Sequence, residues 1–502
     1  MRYKILSVFA ALAVVTACSD VTSINQNPNG PTDVPPPSIL PQVIQTVVGG
    51  VNGVNSLNIR GGGLWVQYYA QIQYRDEDKF TVRSGTSGGW GLYSSALEDI
   101  QRMIKKGEAS NTPNWSAVGR ILKSYTFSAM TDAMGALPYS QALKGDTVLA
   151  PAYDTQQQIY NGMLADLAQA NGEIDPAGIG FSTGDLMYGG DMTKWKKFGN
   201  SLRLRLAIHL SNVDPAKGAS EAAAAVAAGV FASAADNAEL LYLATSPNQN
   251  PIYSDAHVGN RDDYGLSKSF VDTLNSWNDP RLPVYAQIPP AATPYRGLPN
   301  GLLDGEKIDT LDALKYISRF GALWRESPSA PMQLLSYPEV LFLEAEAAER
   351  GWIPGGSAQA ATYYTNAIKA SMTQYGIPDT AATRYLAQGK VNYDSSGVVN
   401  VTQGHLQQIA FQKWLSMFMQ GAEAWTEVRR TQVPTIVPGC HAVTRSSPER
   451  LPYDDNEAVL NKANLDAAVA AQGFSAGNDL TKPLWFTGRT TGPTYPPPSY
   501  CP

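Results

Sequence analysis

The chain has 502 residues, 43% of them hydrophobic, so it can bury a large core; 16% are charged, well below the usual quarter. Net charge is -6, and no basic cluster larger than a pair such as Lys196-Lys197 or Arg429-Arg430 occurs, which argues against nucleic acid as a partner. With 44 Gly, 34 Pro, 25 Tyr and 10 Trp, the composition suits a packed scaffold carrying long, ordered, aromatic-rich loops.

Arg2 and Lys4 precede a short apolar run, Ile5 to Val15, and then Val15-Thr16-Ala17-Cys18. The run is too short to span a bilayer and reads as a secretion signal, residues 1–17. A cysteine directly after small residues resembles the bacterial lipobox, in which the thiol is diacylated and becomes the new N-terminus. Two or more acyl chains anchor a protein durably to a lipid bilayer. Residues 18–37, rich in Asn, Pro, Gly, Asp and Ser, read as a flexible tether to a domain spanning 38–502. With Cys18 acylated, Cys440 and Cys501 remain. An even pair permits a disulfide without demanding one.

Helical periodicity dominates the rest of the chain. Leu92, Ala96, Leu97, Ile100, Met103 and Ile104 mark one face at spacings of three and four. Val118 to Met130, Ile159 to Leu167 and Leu202 to Leu210 mark three more. Further helices are expected over Val340 to Arg350, Ser357 to Tyr375 and Gln403 to Met419, with Gly351 and Gly376-Ile377-Pro378 as stops. The pair at 338–376 carries Ala360, Tyr363, Tyr364 and Ala367, the mixture of small and aromatic residues that tetratricopeptide-like helix packing requires. Between about 240 and 335, Pro, Gly, Asn, Asp and Tyr crowd together, predicting turns and short strands. The expected fold is mainly α: helix pairs forming an α/α superhelix, with a loop-rich lobe.

Several stretches taken together resemble the SusD/RagB family of outer-membrane nutrient-binding lipoproteins. Asp132 to Ala142 resembles its D-x-x-G-x-x-P-Y-x-x-A segment. Gly190-Asp191 through Lys194-Trp195, Phe198 and Asn200 to Arg205 resembles G-D-x-x-K-W-x-x-F-x-N-S-L-R-x-R. Tyr337 to Ala347 resembles Y-x-E-V-x-x-x-x-A-E-A, and Gln412-Lys413-Trp414 with Glu423-Ala424-Trp425 and Arg429-Arg430 resembles the late Q-K-W…E-A-W…R-R block. The motifs read as scaffold: Arg203 and Arg205 among leucines need carboxylate or carbonyl partners, and Glu423 with Arg429 could form a comparable pair. The resemblance implies a lid over a SusC-like TonB-dependent barrel, which captures an oligosaccharide or peptide ligand and changes conformation as ligand shifts the balance of two states.

Catalysis is not indicated. Gly85 to Gly89 matches G-x-S-x-G around Ser87, but that motif needs a parallel sheet behind it, and strand–helix alternation is absent. Phe80-Thr81-Val82 is the one short strand that could precede it. A surface hydrolase using Ser87, or a scaffold that binds only protein, are the competing readings. His209, His257, His405 and His441 have no partner at metal-ligand spacing, so no metal or cofactor is expected. His209, in a leucine-rich helix, reads as a satisfied core residue. Ligand contact is expected from three aromatic and polar loop clusters: Tyr74 and Arg75 leading to Trp90; Arg261, Asp263 and Tyr264; and Tyr295 and Arg296 with Trp324.

Overall fold

The computed structural model describes residues 34–82, 89–292, 294–306, 313–393 and 404–501. Cys18, its leader, the tether up to residue 33 and Ser87 lie outside the described residues. Helices of eight or more residues are α1 (Pro36–Asn52), α2 (Glu98–Ala109), α3 (Pro113–Met134), α4 (Gln156–Glu173), α5 (Met192–His209), α6 (Pro215–Ala228), α7 (Lys268–Ser276), α8 (Tyr337–Glu349), α9 (Gly356–Thr373), α10 (Asp379–Leu386), α11 (His405–Ser416), α12 (Gly421–Thr431) and α13 (Lys462–Ala471). Four short strands complete it: β1 (Tyr69–Gln71), β2 (Ala238–Leu240), β3 (Tyr264–Leu266) and β4 (Met332–Leu335).

Local chemistry starts these helices. Thr155 and Gln158 form a reciprocal capping box at α4, and the Asp191 carboxylate accepts the Thr193 and Lys194 N–H groups at α5. Chain-consecutive helices then pack in pairs, α3 on α4, α5 on α6 and α8 on α9, and α8 also packs on α5 and α11. Ala360, Tyr364 and Ala367 are fully or almost fully buried along the α8–α9 seam. The architecture is therefore mainly α, with tetratricopeptide-like helix pairs.

Helix α1 opens at Pro36, within the stretch read as a tether. Proline is compatible with a first helical turn, where its missing N–H has no intrahelical partner anyway. Ile39, Leu40, Val43, Ile44, Val47, Val48 and Val51 recur at helical spacing and all enter the core. Phe80 has φ +68, in the left-handed region, and residues 80–82 do not form the expected strand.

The loop-rich region between α6 and α8 holds three strands and short helices. One antiparallel ribbon ties it to a distant segment and another closes it on itself. Tyr69, Ala70 and Gln71 pair with Leu266, Gly265 and Tyr264, and β2 pairs with β4. A small second core of Ala70, Ile72, Leu298, Leu302 and Ile317 lies beneath this lobe, with Cys440 packed on it. Cys440 and Cys501 form a disulfide, their Cα atoms 5.3 Å apart.

Arg205 on α5 donates Nε and Nη2 to Glu339 of α8 at 2.7 and 2.8 Å, and Arg203 donates to Glu221 at 2.6 Å. Glu423 does not pair with Arg429. It accepts from His209 Nε2 at 2.8 Å and lies 3.7 Å from Arg205, whereas Arg429 sits 3.5 Å from the Trp425 ring centroid and donates to the Trp425 and Glu449 carbonyls. A stacked guanidinium satisfied by carbonyls needs no carboxylate.

Candidate binding cleft

After α1 the chain turns at Gly53 and enters a π-helical turn, Leu57–Gly63, which packs on the start of α12. The approach is close: a Cβ on Gly62 would fall 2.2 Å from the Gly421 carbonyl oxygen, so only glycine fits there. This turn, the last turns of α1, Glu77 and residues 89–95 enclose a cleft of about 510 Å³. That volume lies within the range of small-molecule sites.

Trp90 lines the cleft and belongs to an aromatic cluster with Tyr93, Tyr153 and Tyr453, its centroid 5.3, 6.3 and 6.2 Å from theirs. The three tyrosine hydroxyls donate to the Pro138 carbonyl, the Glu457 carboxylate and the Ala136 carbonyl at 2.6, 2.7 and 2.8 Å. Burial pushes all three hydroxyls up in pKa, so they stay neutral donors that fix the rings behind Trp90. Polar groups complete the lining: Arg60, Asn55, Ser56, Ser95 and Thr46. Arg60 Nε lies 2.9 Å from Glu77 Oε1, and Gln71 Nε2 donates to Glu77 Oε2 at 2.9 Å. The Arg60 charge is thereby compensated, and its donors suit neutral acceptors. Next to Glu77, Asp78 is buried, which pushes its carboxyl up to about 6 against hydrogen bonds from Asn300, Gly301 and Gln71.

The three loop clusters anticipated from sequence have different fates. Tyr74 is 54% exposed, and the Arg261 guanidinium stacks over its ring at 5.4 Å while pairing with Asp263. Pairing of β1 with β3 produces this meeting. Arg325, next to Trp324, lies 3.4 Å from Asp262, which sits between Arg261 and Asp263, so the two loops meet there. Tyr295 and Arg296 are half-buried. Three of the anticipated residues are internal. Arg75 is 4% exposed and donates to the carbonyls of Gln71, Ile72, Leu303 and Glu306. Tyr264 is buried in β3 and Trp324 packs on Tyr285, Tyr375 and Phe418. A guanidinium occupied by carbonyls and a ring inside the core have no surface for a ligand.

Sequence reasoning missed Arg60, Asn55 and Ser95. The run Arg60-Gly61-Gly62-Gly63 carried a signal, since three consecutive glycines mark main chain that other groups approach closely.

Among the described residues, one group of possible metal ligands occurs: His209, Glu423 and Glu427, with ligand atoms within 4.8 Å of one another. Its charges already have partners. Arg205 lies 3.7 Å from Glu423, and Lys413 and Arg430 lie 3.1 and 2.7 Å from Glu427. A divalent cation would have to enter among three cations, so the group is a structural ion network. His209 is fully buried within it, as a satisfied core residue.

Residues 28–454 match the SusD-like family model described as starch-binding and associating with the outer membrane. The chain belongs to this SusD-like family. No curated protein matches it in sequence. Solved structures similar to this SusD-like chain include a chitin-binding protein, 28% identical, with a TM-score of 0.75 over 90% of this chain and 99% of that one. A SusD homologue from Bacteroides fragilis is 26% identical, with a TM-score of 0.76 over 91% of this chain and 99% of that one. A chitin-binding SusD homologue from Flavobacterium johnsoniae is 25% identical, with a TM-score of 0.77 over 90% and 98%. Among the described residues of the SusD-like chain, no helix is long and apolar enough to cross a membrane.

Proposed function

We propose that this SusD-like protein is a cell-surface lipoprotein that binds a neutral oligosaccharide in the Trp90 cleft and delivers it to a SusC-like TonB-dependent barrel. The cleft carries the reading. An indole held by a fixed aromatic cluster offers a flat apolar wall for the C–H face of a sugar, and Arg60, Asn55 and Ser95 offer hydrogen bonds to its hydroxyls. Two similar solved proteins are named as chitin-binding, which favours a glycan over a peptide. Tyr74 and Arg261 form a second exposed aromatic surface for the same class of ligand. Binding without catalysis is what this role requires.

Calorimetry with chitohexaose and maltohexaose tests the site. Trp90→Ala should weaken binding of whichever sugar binds by at least about tenfold, or ~1.4 kcal/mol, with the fold intact. Unchanged affinity would remove the cleft as the site.

Residues 1–17 serve as the signal peptide in this reading, and acylated Cys18 tethers the domain. Cells fed a labelled fatty acid should tag the wild-type protein and leave Cys18→Ala untagged. Equal labelling of both would refute the anchor. Purification of the tagged, membrane-extracted protein should bring down a large barrel in stoichiometric amount; a lone SusD-like chain would argue against the lid role.

A further inference from the structure

We infer that Gly49, Gly61 and Gly91 are specificity determinants of the Trp90 cleft, keeping its wall free of side chains so that a sugar ring can lie against the main chain. The inference rests on the glycan reading and names the feature that decides which rings enter.

Five glycines line the cleft, and they fall into two groups. Gly89 has φ +92, a conformation that side chains disfavour, and a Cβ on Gly50 would lie 2.7 Å from Leu92 Cδ2. Backbone conformation calls for glycine at position 89, and a side chain at position 50 would have to displace Leu92. Gly49, Gly61 and Gly91 are different. None has a left-handed φ, and a Cβ built on any of them meets no heavy atom within 4 Å outside its own local backbone. A methyl group there would project into open space at the cleft.

At Gly49 local structure favours a different residue. Gly49 lies within α1, where alanine is the better helix former because glycine loses more backbone freedom on folding. Gly61 lies in the π-helical turn, in the same element as Arg60. Neither packing nor backbone geometry accounts for a missing side chain at three separate points around one cavity. What the three share is the cleft, and the effect of their glycines is to deepen it. Residues that break a local rule without a structural gain are expected at functional sites.

The chemistry selected is that of a flat ring. With Trp90 supplying an apolar face and Arg60 a charge-compensated donor, a wall of bare main chain lets a pyranose approach closely enough for its hydroxyls to meet backbone groups. Bulk added at these glycines would hold the ring off.

Filling the cleft should move affinity and stability in different directions, which a merely structural glycine would not do. Gly49→Leu and Gly91→Leu are compared with Gly49→Ala, Trp90→Ala and the parent, by calorimetry with chitohexaose and maltohexaose and by thermal melting. The leucine variants should bind at least about tenfold more weakly while their Tm stays at or above the parent value; Gly49→Ala should gain on the order of 1 °C. If the leucine variants bind like the parent while Trp90→Ala does not, the cleft binds glycan and the glycine inference is wrong. A lowered Tm in the leucine variants would likewise overturn it, by showing that the glycines serve packing. If the parent binds neither sugar, or Trp90→Ala binds as well as the parent, the glycan reading fails and the inference with it.

Discussion

Arg430→Ala should destabilise the protein by roughly 4 kcal/mol, the range expected when one partner of a buried ion pair is removed. Arg430 on α12 is 4% exposed, and its guanidinium is fully engaged. Nη1 and Nη2 donate to the two Glu346 oxygens of α8, each at 2.7 Å; Nε and Nη2 donate to Glu427 at 2.9 and 2.7 Å; and Nη1 donates to Ser211 Oγ at 2.8 Å. Burial works against charging Glu346 and Glu427, and Arg430 opposes it strongly enough to hold both below the usual carboxylate range. Without Arg430, two buried carboxylates would face each other with only Lys413, Arg350 and His209 nearby. Either they protonate or the helices separate. Both routes cost stability. Arg430→Lys should recover only part of the loss, because an ammonium cannot present the same planar fork to two carboxylates. Urea titration reads the difference. A midpoint for Arg430→Ala that matches the parent would show that the network contributes nothing to holding α12 on α8.

That network also shows what the sequence could and could not convey. The stripe of Leu202, Leu206 and Leu210 marks an α5 helix on its own, because periodicity is a local property, and the structure buries all three. The need of Arg205 for a carboxylate is equally legible, since a guanidinium among leucines cannot remain unpaired. Which carboxylate it meets is not legible. Glu339 lies 134 residues away in sequence, and only the packing of α8 on α5 brings it near. Helix α1 escaped notice for the opposite reason. Pro36, Pro37 and Pro41 are strong local breakers, yet they fall in the early turns, and seven core residues at helical spacing outweigh them.

The candidate binding residues divide along the same line. Turn-rich chemistry marks the loops around Tyr74, Trp90 and Arg261, and two of these meet because β1 pairs with β3, nearly 200 residues later in the chain. Arg75 looks the same in sequence as a ligand-binding arginine, between Tyr74 and Asp76. Its fate is set by the loop at 303–306, whose carbonyls capture it. Trp324 reads as a loop aromatic until Phe418 and Tyr375 close over it. The open wall of the cleft is the least legible feature, because a glycine that leaves a space and a glycine that permits a turn are the same letter.

His209 supplies the second large effect, and it depends on pH. Burial alone would lower its pKa. The Glu423 charge, hydrogen bonds with Asp132 and Glu423, and the Asp132 charge overcome that and raise it from 6.5 to about 9. The geometry agrees: Nε2 lies 2.8 Å from Glu423, and Nδ1 lies 3.0 Å from the Tyr160 hydroxyl, which itself donates to Asp132 at 2.6 Å. With both ring nitrogens protonated, every one of these contacts is satisfied. A folded-state pKa above the unfolded value means that the folded protein holds the proton more tightly. The resulting stabilisation is fully present below pH 6.5 and fades as pH rises through about 9. Its size is on the order of 3 kcal/mol, from about 1.36 kcal/mol for each pH unit of difference. Denaturation midpoints for the parent should therefore fall between pH 6.5 and 9, and His209→Gln should show a lower but flatter profile across the same window. If both proteins lose stability in parallel over that range, the imidazole is neutral when folded and the raised pKa is refuted.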